Sequence, residues 1–219
     1  MKDSFSAIRQ CPLFNEISDG DLLAMLTCLG GKKESYKKGQ IIMSEGDNAT
    51  TLGIVLSGEV QMISVDFYGN RSIVAQMYPT EIFGESFACA DIEHLPVDMV
   101  ASEDCEVLLI EARRVTKTCS NACEFHARII FNLLKLVAIK NIVFHQKIEI
   151  TSKRTTREKL MTYLLSEAKK CGKSTFTIPY DRQELADYLE VDRSGLSALI
   201  SKLKKEGIID SDKSTFTLL

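Results

Sequence analysis

Short segments in which apolar and polar residues alternate follow one another through the first half of the chain. An alternation with a period of two is typical of strands that bury one face, and glycines separate most of these segments. Many short strands joined by glycine turns favour a small antiparallel barrel or roll. Such a barrel either holds one small ligand or is filled by its own side chains, and the pattern leaves both open. The predicted strands lie at residues 40–44, 53–56, 60–65, 72–77 and 107–110.

A long helix is predicted after the strands, because residues 97–171 contain neither glycine nor proline. Apolar residues recur along it at heptad spacing, which is typical of a seam between two parallel helices, and Asn141 interrupts this seam. A second apolar stripe lies beside the seam and is expected to face the chain's own body. The pattern therefore predicts a homodimer, and the alternative is one buried helix in a monomer. The seam comprises Ile130, Leu134, Val137, Phe144 and Ile148, and the second stripe comprises Phe125, Ile129, Leu133, Leu136 and Val143.

Two short amphipathic helices separated by a tight break are predicted near the C-terminus, over residues 181–189 and 192–205. The helix before them is expected to begin at a capping box formed by Thr155 and Glu158. A two-stranded wing is predicted over residues 208–218. Two helices around a tight break are typical of a helix-turn-helix, and they are also a common arrangement without any nucleic-acid function.

The charge distribution divides the chain of 219 residues, whose formal net charge is −3. From residue 151 onward there are 13 Lys and Arg against 10 Asp and Glu, whereas residues 1–150 carry 14 against 20. A mildly basic C-terminal part could meet the phosphates of DNA, and the acidic part is unsuited to them. Because the start has no apolar run of signal-peptide length and nothing in the sequence spans a membrane, we expect a cytoplasmic protein without a membrane partner.

Seven cysteines without a CxxC pair are expected to be reduced thiols rather than a disulfide framework. Cys119, Cys123 and His126 are spaced by four and three residues, which puts them on one face of a helix. Three such side chains could ligate zinc or a related metal. The alternative is that they are ordinary buried residues, and we expect no metal cofactor.

Four short strings in the strand-rich part resemble the β-roll of the Crp/Fnr family of bacterial transcription regulators. They are KGQII at 38–42, EGD at 45–47, LSGEV at 56–60 and FGES at 83–86. The strings RQELA at 182–186, RS at 193–194 and KEGII at 205–209 resemble the DNA-binding half of the same family. Because the roll, the long helix and the helix-turn-helix follow in the family's order, the resemblance covers nearly the whole chain.

The resemblance implies a small-molecule effector site in the roll, whose first residues are Phe83, Gly84, Glu85 and Ser86. Members that bind cyclic AMP have an Arg-Ser pair for its phosphate, and this chain has Leu95 and Pro96 at those positions. A phosphate without a cation or hydroxyl partner would be poorly compensated for desolvation, so we expect an unknown effector other than cyclic AMP. The surrounding apolar residues form either an apolar pocket or simply the core. They are Ile82, Phe83, Phe87, Leu95, Met99 and Val100.

In the family, the second helix of the helix-turn-helix enters the major groove, which here would bring Arg193 to a guanine edge. Ala198 stands where many members have a second base-reading arginine, and contact with a thymine methyl is one option there. Glu190 occupies a turn position often given to glycine, so a positive φ there would be strained. Further contacts are expected from Ser194 and Ser197 to bases or phosphate, and from Arg182, Gln183 and Lys202 to phosphates.

The whole sequence predicts an α+β protein in three parts. Residues 1–118 form an N-terminal antiparallel β-roll of the double-stranded β-helix or jelly-roll type, residues 119–150 form a long central dimerisation helix, and residues 151–219 form a C-terminal winged helix-turn-helix. We expect an effector-responsive transcription regulator that binds palindromic double-stranded DNA as a homodimer. RNA polymerase is a further expected partner if the protein is an activator.

Two other functions stay open, namely a ligand-binding module whose helix-turn-helix contacts proteins, and a metal- or redox-sensing regulator that uses Cys119, Cys123 and His126. We do not expect an enzyme. The roll resembles metal-dependent cupin barrels in outline, but cupins use an HxH ligand pair. The histidines of this chain lie too far apart for that pair, at His94, His126 and His145.

Overall fold

A computed structural model of the chain describes residues 2–116 and 124–219. The contacts between residues define two compact units. The first comprises Met1–Asn70 and Val74–Asn141, and the second comprises Arg71–Ile73 and Ile142–Leu219. Within the two described ranges, no helix is long and apolar enough to cross a membrane.

The N-terminal part contains short helices and two four-stranded sheets. The helices are α1 (Lys2–Gln10), a 3-10 helix (Pro12–Phe14), α2 (Asp19–Leu29), α3 (Glu85–Cys89) and α4 (Ala112–Thr116). The strands are β1 (Lys32–Tyr36), β2 (Ile41–Met43), β3 (Thr51–Ser57), β4 (Val60–Val65), β5 (Arg71–Met77), β6 (Ile82–Phe83), β7 (Asp98–Ala101) and β8 (Cys105–Glu111). They pair in the orders β1-β8-β3-β6 and β2-β7-β4-β5. This is the predicted antiparallel roll, and β2, β3, β4, β5 and β8 confirm the five predicted strands.

Glycines allow the strands of the roll to approach each other closely. A Cβ atom added to Gly53 would lie 2.1 Å from the ring of Phe83, a side chain with no exposed surface. Gly58 has a φ of +71°, and its added Cβ would lie 2.3 Å from the backbone oxygen of Asp104. Position 58 is therefore restricted to glycine for two reasons. Its backbone is in the left-handed conformation, and the backbone of Asp104 and Cys105 lies too close for a Cβ atom.

Helix α5 (Glu124–Thr151) is the predicted long helix. Its inner stripe is confirmed at Ile129 and Leu133, which are 0% and 5% exposed in the core of the first unit. The prediction is wrong for Val143, which is 54% exposed. The physical reason is that Val143 lies beyond Asn141, the last residue of α5 that belongs to the first unit, so the core that covers Ile129 and Leu133 does not extend to it.

The C-terminal part contains three helices and three strands. They are α6 (Thr156–Cys171), β9 (Thr175–Thr177), α7 (Arg182–Leu189), α8 (Arg193–Lys205), β10 (Ile209–Asp212) and β11 (Thr215–Leu218). The predicted capping box is confirmed, because the Thr155 side chain accepts from Glu158 N and the Glu158 side chain accepts from Thr155 N. The wing has three strands instead of two, because β9 pairs with β11, and hydroxyl pairs at 3.0 Å link these two strands.

Candidate DNA-binding surface and effector site

Helices α7 and α8 form the predicted helix-turn-helix, and four acidic residues define the ends of these helices. Asp181 and Glu184 form a capping box at the start of α7. Glu190 ends α7 in the left-handed conformation with a φ of +54°, which confirms the positive φ expected at this position. Asp192 caps α8 by accepting a hydrogen bond of 2.7 Å from Gly195 N. The break between the helices is thus set by local backbone chemistry.

Helix α8 presents one buried and one outward face. Leu196, Ile200 and Leu203 are at most 4% exposed and hold the helix in the core of its unit. The other face carries the small and basic side chains that the sequence assigned to DNA contact. Arg193, Ser194, Ala198 and Lys202 are exposed, and Ser197 is half-buried. Ser194, Ala198 and Lys202 are spaced by four residues and share one side of the helix, whereas Arg193, at its first turn, lies on the side next to Ser197. Helix α8 therefore carries five of the seven predicted DNA-binding residues.

The side chains of α8 that are predicted to contact DNA differ in whether they already have partners within the protein. Within the described residues, the guanidinium of Arg193 has no hydrogen-bond or ion-pair partner and is therefore available. The Ser194 hydroxyl donates to the carboxylate of Asp192, and Lys202 lies 3.9 Å from the Glu206 carboxylate. An exposed pair at this distance stabilises little, so the ammonium of Lys202 remains available to a phosphate.

Arg182 and Gln183 lie on α7 and are engaged within the unit. The guanidinium of Arg182 donates to the Lys213 carbonyl at 3.4 Å and lies 5.6 Å from the centre of the Phe216 ring. Burial lowers the pKa of this guanidinium, and its buried Nη1 has no hydrogen-bond partner among the described residues. Gln183 is exposed and donates from Nε2 to Asp187 at 2.8 Å. Arg182 therefore supports the wing in this structure.

Two lysines that the sequence did not single out cap the end of α7. The ammonium of Lys147 donates to the Tyr188 carbonyl and lies 3.7 Å from the centre of the Tyr188 ring. The ammonium of Lys159 donates to the carbonyls of Leu189 and Glu190 at 3.2 and 3.3 Å. The last carbonyls of a helix lack partners within the helix and carry partial negative charge, so both ammonium groups stabilise this end. Lys147 thereby ties the last turns of α5 to the first helix of the helix-turn-helix.

The burial of Lys147 predicts a pH-dependent stability. Desolvation lowers its pKa from 10.5 to about 8, Glu190 opposes this change, and Lys159 adds to it. Because the unfolded chain keeps this proton to a higher pH than the folded chain, the cost of the buried charge is present below pH 8 and disappears toward pH 10.5. We expect the free energy of unfolding of the wild type, minus that of Lys147→Met, to rise by about 2 kcal/mol between about pH 7.5 and 9.5.

Urea unfolding curves at several pH values measure this difference, and subtraction of the methionine variant removes the other titrating groups. The matched control is Lys205→Met, because Lys205 is exposed at the end of α8. The free energy of unfolding of the wild type, minus that of Lys205→Met, is expected to stay constant over the same pH range. A constant difference for Lys147→Met as well would contradict the prediction.

The predicted effector residues lie in the roll, most of them in its interior. Phe83 and Leu95 are 0% and 3% exposed and belong to one core cluster, whereas Pro96 is exposed. Ile82 and Met99 are also buried, at 1% and 0%. Of the two interpretations left open by the sequence, these four residues favour the core. Gly84 has a φ of +76° and starts helix α3, which carries Glu85 and Ser86.

Glu85 is a buried carboxylate, 2% exposed, and helix α5 supplies its counter-ion. The ammonium of Lys140 lies 2.9 Å from Glu85 Oε1 and donates to the Ile82 carbonyl at 2.5 Å. The Ser86 hydroxyl also donates to Glu85 Oε1, at 3.2 Å. Glu85 Oε2 has no hydrogen-bond partner among the described residues. The effector segment is therefore joined to α5 by an ion pair in which the carboxylate is buried and the lysine side chain is 25% exposed.

The thiols and the metal prediction are only partly covered by the structure. Cys119 and Cys123 lie outside the described residues, and His126 is 4% exposed on α5. In the part of the chain that is described, no group of three or more His, Cys, Asp or Glu could hold a metal ion. Cys11 has no exposed surface, and its burial raises the pKa of the thiol to about 12.

The fold and the outward face of α8 define a class of protein, a regulator that joins a ligand-binding type of β-roll to a winged helix-turn-helix. Residues 33–122 match the family described as the cyclic nucleotide-binding domain, and residues 158–219 match the Crp-like helix-turn-helix domain. The chain belongs to the Crp/Fnr family of transcription regulators and is itself a DNA-binding transcription regulator.

Relatives of this family resemble the chain along most of its length. Transcriptional activator protein FnrA of Stutzerimonas stutzeri is 23% identical over 213 residues, which cover 95% of this chain and 84% of FnrA. FixK2 from Bradyrhizobium japonicum is 21% identical with a TM-score of 0.66, over 86% of this chain and 92% of FixK2. The c-di-GMP responsive global regulator CLP of Xanthomonas campestris is 18% identical with a TM-score of 0.75, over 91% and 99% of the two chains. The two structures share the fold of this chain.

Proposed function

We propose that this regulator acts as a cytoplasmic homodimer that binds palindromic DNA, with one α8 in the major groove of each half-site. The outward face of α8, where the guanidinium of Arg193 has no partner among the described residues, is the observation that carries the proposal. The side chains from Arg193 to Lys202 extend over about 14 Å along the helix axis at 1.5 Å per residue. A major groove about 12 Å wide accommodates an α-helix, whose diameter with side chains is about 10 to 12 Å.

The α5 seam supports pairing with a second copy. Leu134 and Ile148, which share one heptad position, are 66% and 61% exposed, and Asn141 between them is exposed as well. Ile130, Val137 and Phe144, at the other seam position, are half-buried. A heptad seam is complementary to a copy of itself, and a single polar residue at one of its positions fixes the register of the pair.

The side chains of α8 have different proposed roles. Arg193 reads a guanine edge with two hydrogen bonds, and Ala198 contacts a thymine methyl. Ser194 and Ser197 donate to bases or phosphate, and Lys202 holds a phosphate. Arg182 and Gln183 reach phosphates once they leave their partners within the unit. If the protein activates transcription, as the name of FnrA states for that relative, RNA polymerase is a further partner.

The effector is proposed to be a small molecule other than cyclic AMP. Although residues 33–122 match the cyclic nucleotide-binding domain, Leu95 and Pro96 occupy the positions that receive the phosphate in cyclic AMP-binding members. Leu95 is buried and apolar, and Pro96 has neither a backbone N–H nor a polar side chain. A phosphate at these two positions would lose its hydration without gaining a partner from them.

The substitution Arg193→Ala tests the DNA-reading role. We expect a loss of about 1 to 3 kcal/mol in binding to the preferred palindrome, with relaxed preference at one base pair per half-site, because a bidentate contact to guanine is removed. Fluorescence anisotropy with a fragment from the protein's own upstream region, and with single-base variants of its palindrome, measures both effects at one salt concentration.

The matched comparison is Lys202→Ala on the same helix. This change is expected to weaken binding to all sequences about equally and to reduce the salt dependence by roughly one phosphate contact. If Arg193→Ala also weakens binding to every sequence by the same factor, Arg193 contacts phosphate and not a base. If neither variant nor wild type binds the fragment more tightly than random DNA, the proposed function is contradicted.

A further inference from the structure

The surroundings of Glu85 are rich in hydrogen-bond acceptors. Glu85 Oε1 and the Ile82 carbonyl oxygen both contact the ammonium of Lys140, at 2.9 and 2.5 Å. The Ser86 hydroxyl donates to the oxygen that also receives Lys140. Since Glu85 is 2% exposed and its Oε2 has no partner among the described residues, this site has spare acceptor capacity in a place where desolvation is nearly complete.

Such a site selects ligands by charge. A buried carboxylate without a counter-ion is strongly destabilising, and an ammonium, with three N–H donors and a positive charge, compensates both the charge and the acceptors. An anion placed here would meet a carboxylate and a carbonyl and would be repelled. The chemistry of the acceptors therefore fits a primary ammonium and excludes a phosphate.

We propose that the start of α3 is an ammonium-binding site and that Lys140 is its tethered ligand. Lys140 lies on α5, whose Ile129 and Leu133 pack in the core of the same unit, so its ammonium fastens α5 to the segment at which this family binds effectors. A free ligand for the site is a small organic amine that takes the place of the Lys140 ammonium on Glu85.

This inference deepens the proposed function, on which its regulatory meaning rests. Replacement of a tethered ammonium by a free one removes the link between α3 and α5 while keeping the carboxylate paired. The site would then have two states, one with Glu85 paired to Lys140 and one with Glu85 paired to the free ammonium. Glu85 has a counter-ion in both states, but only the first state links α3 to α5. A ligand shifts such an equilibrium because it binds only the state in which Lys140 has left.

Chemical rescue of Lys140→Ala in the full-length chain tests the proposal. The variant is expected to lose roughly 5 °C in melting temperature, because Glu85 is left buried without its counter-ion. n-Propylammonium, which has the atoms that the substitution removes, is expected at millimolar concentration to raise the variant's melting temperature by about 2 °C. 1-Propanol and propionate are expected to give no such increase, because they lack the positive charge.

Two further variants define the control. Lys135→Ala changes an exposed lysine of the same helix and is expected neither to lower the melting temperature nor to respond to n-propylammonium. The double substitution Lys140→Ala with Glu85→Gln is expected to show no rescue, because the carboxylate is gone. Equal melting temperatures for Lys140→Ala and Lys135→Ala, or equal rescue by 1-propanol, would overturn the proposal.

The melting experiment contains no DNA, so its result is separate from the test of the proposed function. A wild-type chain that fails to bind its upstream region contradicts DNA regulation, while specific rescue by n-propylammonium still establishes the ammonium site. Conversely, specific DNA binding together with unspecific rescue retains the proposed function and rejects the site.

Discussion

The double substitution Leu134→Asp and Ile148→Asp is expected to separate the proposed homodimer into monomers and to weaken specific DNA binding by roughly 1,000-fold. Both residues are exposed on α5 at the same heptad position. In a parallel pair, each new carboxylate would face its copy across the seam, where like charges are desolvated and repel. A monomer presents one α8 and binds one half-site, so the contribution of the second half-site is lost. Sedimentation and anisotropy measure the two effects.

The matched control is Ile139→Asp with Gln146→Asp, which adds two carboxylates that also share one heptad position, on another face of α5. Ile139 is 48% exposed and Gln146 is exposed. These positions lie outside the predicted seam, so the control is expected to remain dimeric and to bind DNA within a few-fold of the wild type. A stable dimer of the Leu134 and Ile148 variant would show that the chain pairs through another surface.

The substitution Gly58→Ala is expected to destabilise the roll by about 4 kcal/mol or more. A left-handed φ costs a non-glycine residue about 1 to 2 kcal/mol, and the new Cβ would lie 2.3 Å from the Asp104 carbonyl oxygen and 2.8 Å from the Cα of Cys105. Neither backbone atom can move without disturbing β8, which pairs with both β1 and β3. Urea unfolding followed by circular dichroism measures the loss.

Gly69 is the control for the conformational part of this loss. Its φ is +83°, and a Cβ added to it has no heavy atom within 4 Å. Gly69→Ala, in the turn between β4 and β5, is therefore expected to cost about 1 kcal/mol, the strain of the left-handed conformation alone. If Gly58→Ala and Gly69→Ala lower the free energy of unfolding equally, the close approach of Gly58 to residues 104–105 does not contribute to the loss.

The roll strands predicted from the sequence have buried residues, and two of the strands that were not predicted, β1 and β6, lack a buried face or are very short. Strand β7, which has a buried face, was also not predicted. Strand β1 has the sequence KKESY, with four exposed residues and one half-buried, and it lies at the edge of its sheet. It pairs with β8 through the backbone, and its sequence shows no alternation of apolar and polar residues from which a strand could be predicted. Strand β6 has two residues, too few for any period. Tertiary pairing alone defines such strands.

The candidate site was predictable where local chemistry determines it. The capping residues Asp181, Thr155 and Asp192, and the outward face of α8, follow from short-range rules. The roles of Lys140 and Lys147 were missed, because each depends on a partner far along the chain, at Glu85 and Tyr188. One signal was present. Both lysines interrupt the apolar stripe of α5 on its inner face, where an unpaired charge would be unfavourable.

Because Cys11 is buried, the rate at which its thiol is alkylated measures how often the core of the first unit opens. A thiol reacts with alkylating reagents as the thiolate, and this thiol is both enclosed and, with a pKa of about 12, protonated at neutral pH. Cys28 and Cys89 are exposed and lie within the same unit, so they are modified first. The slower alkylation of Cys11 then reports local unfolding of this core, as amide hydrogen exchange does for the backbone. A pulse of alkylating reagent therefore measures local unfolding of the first unit without any engineered label.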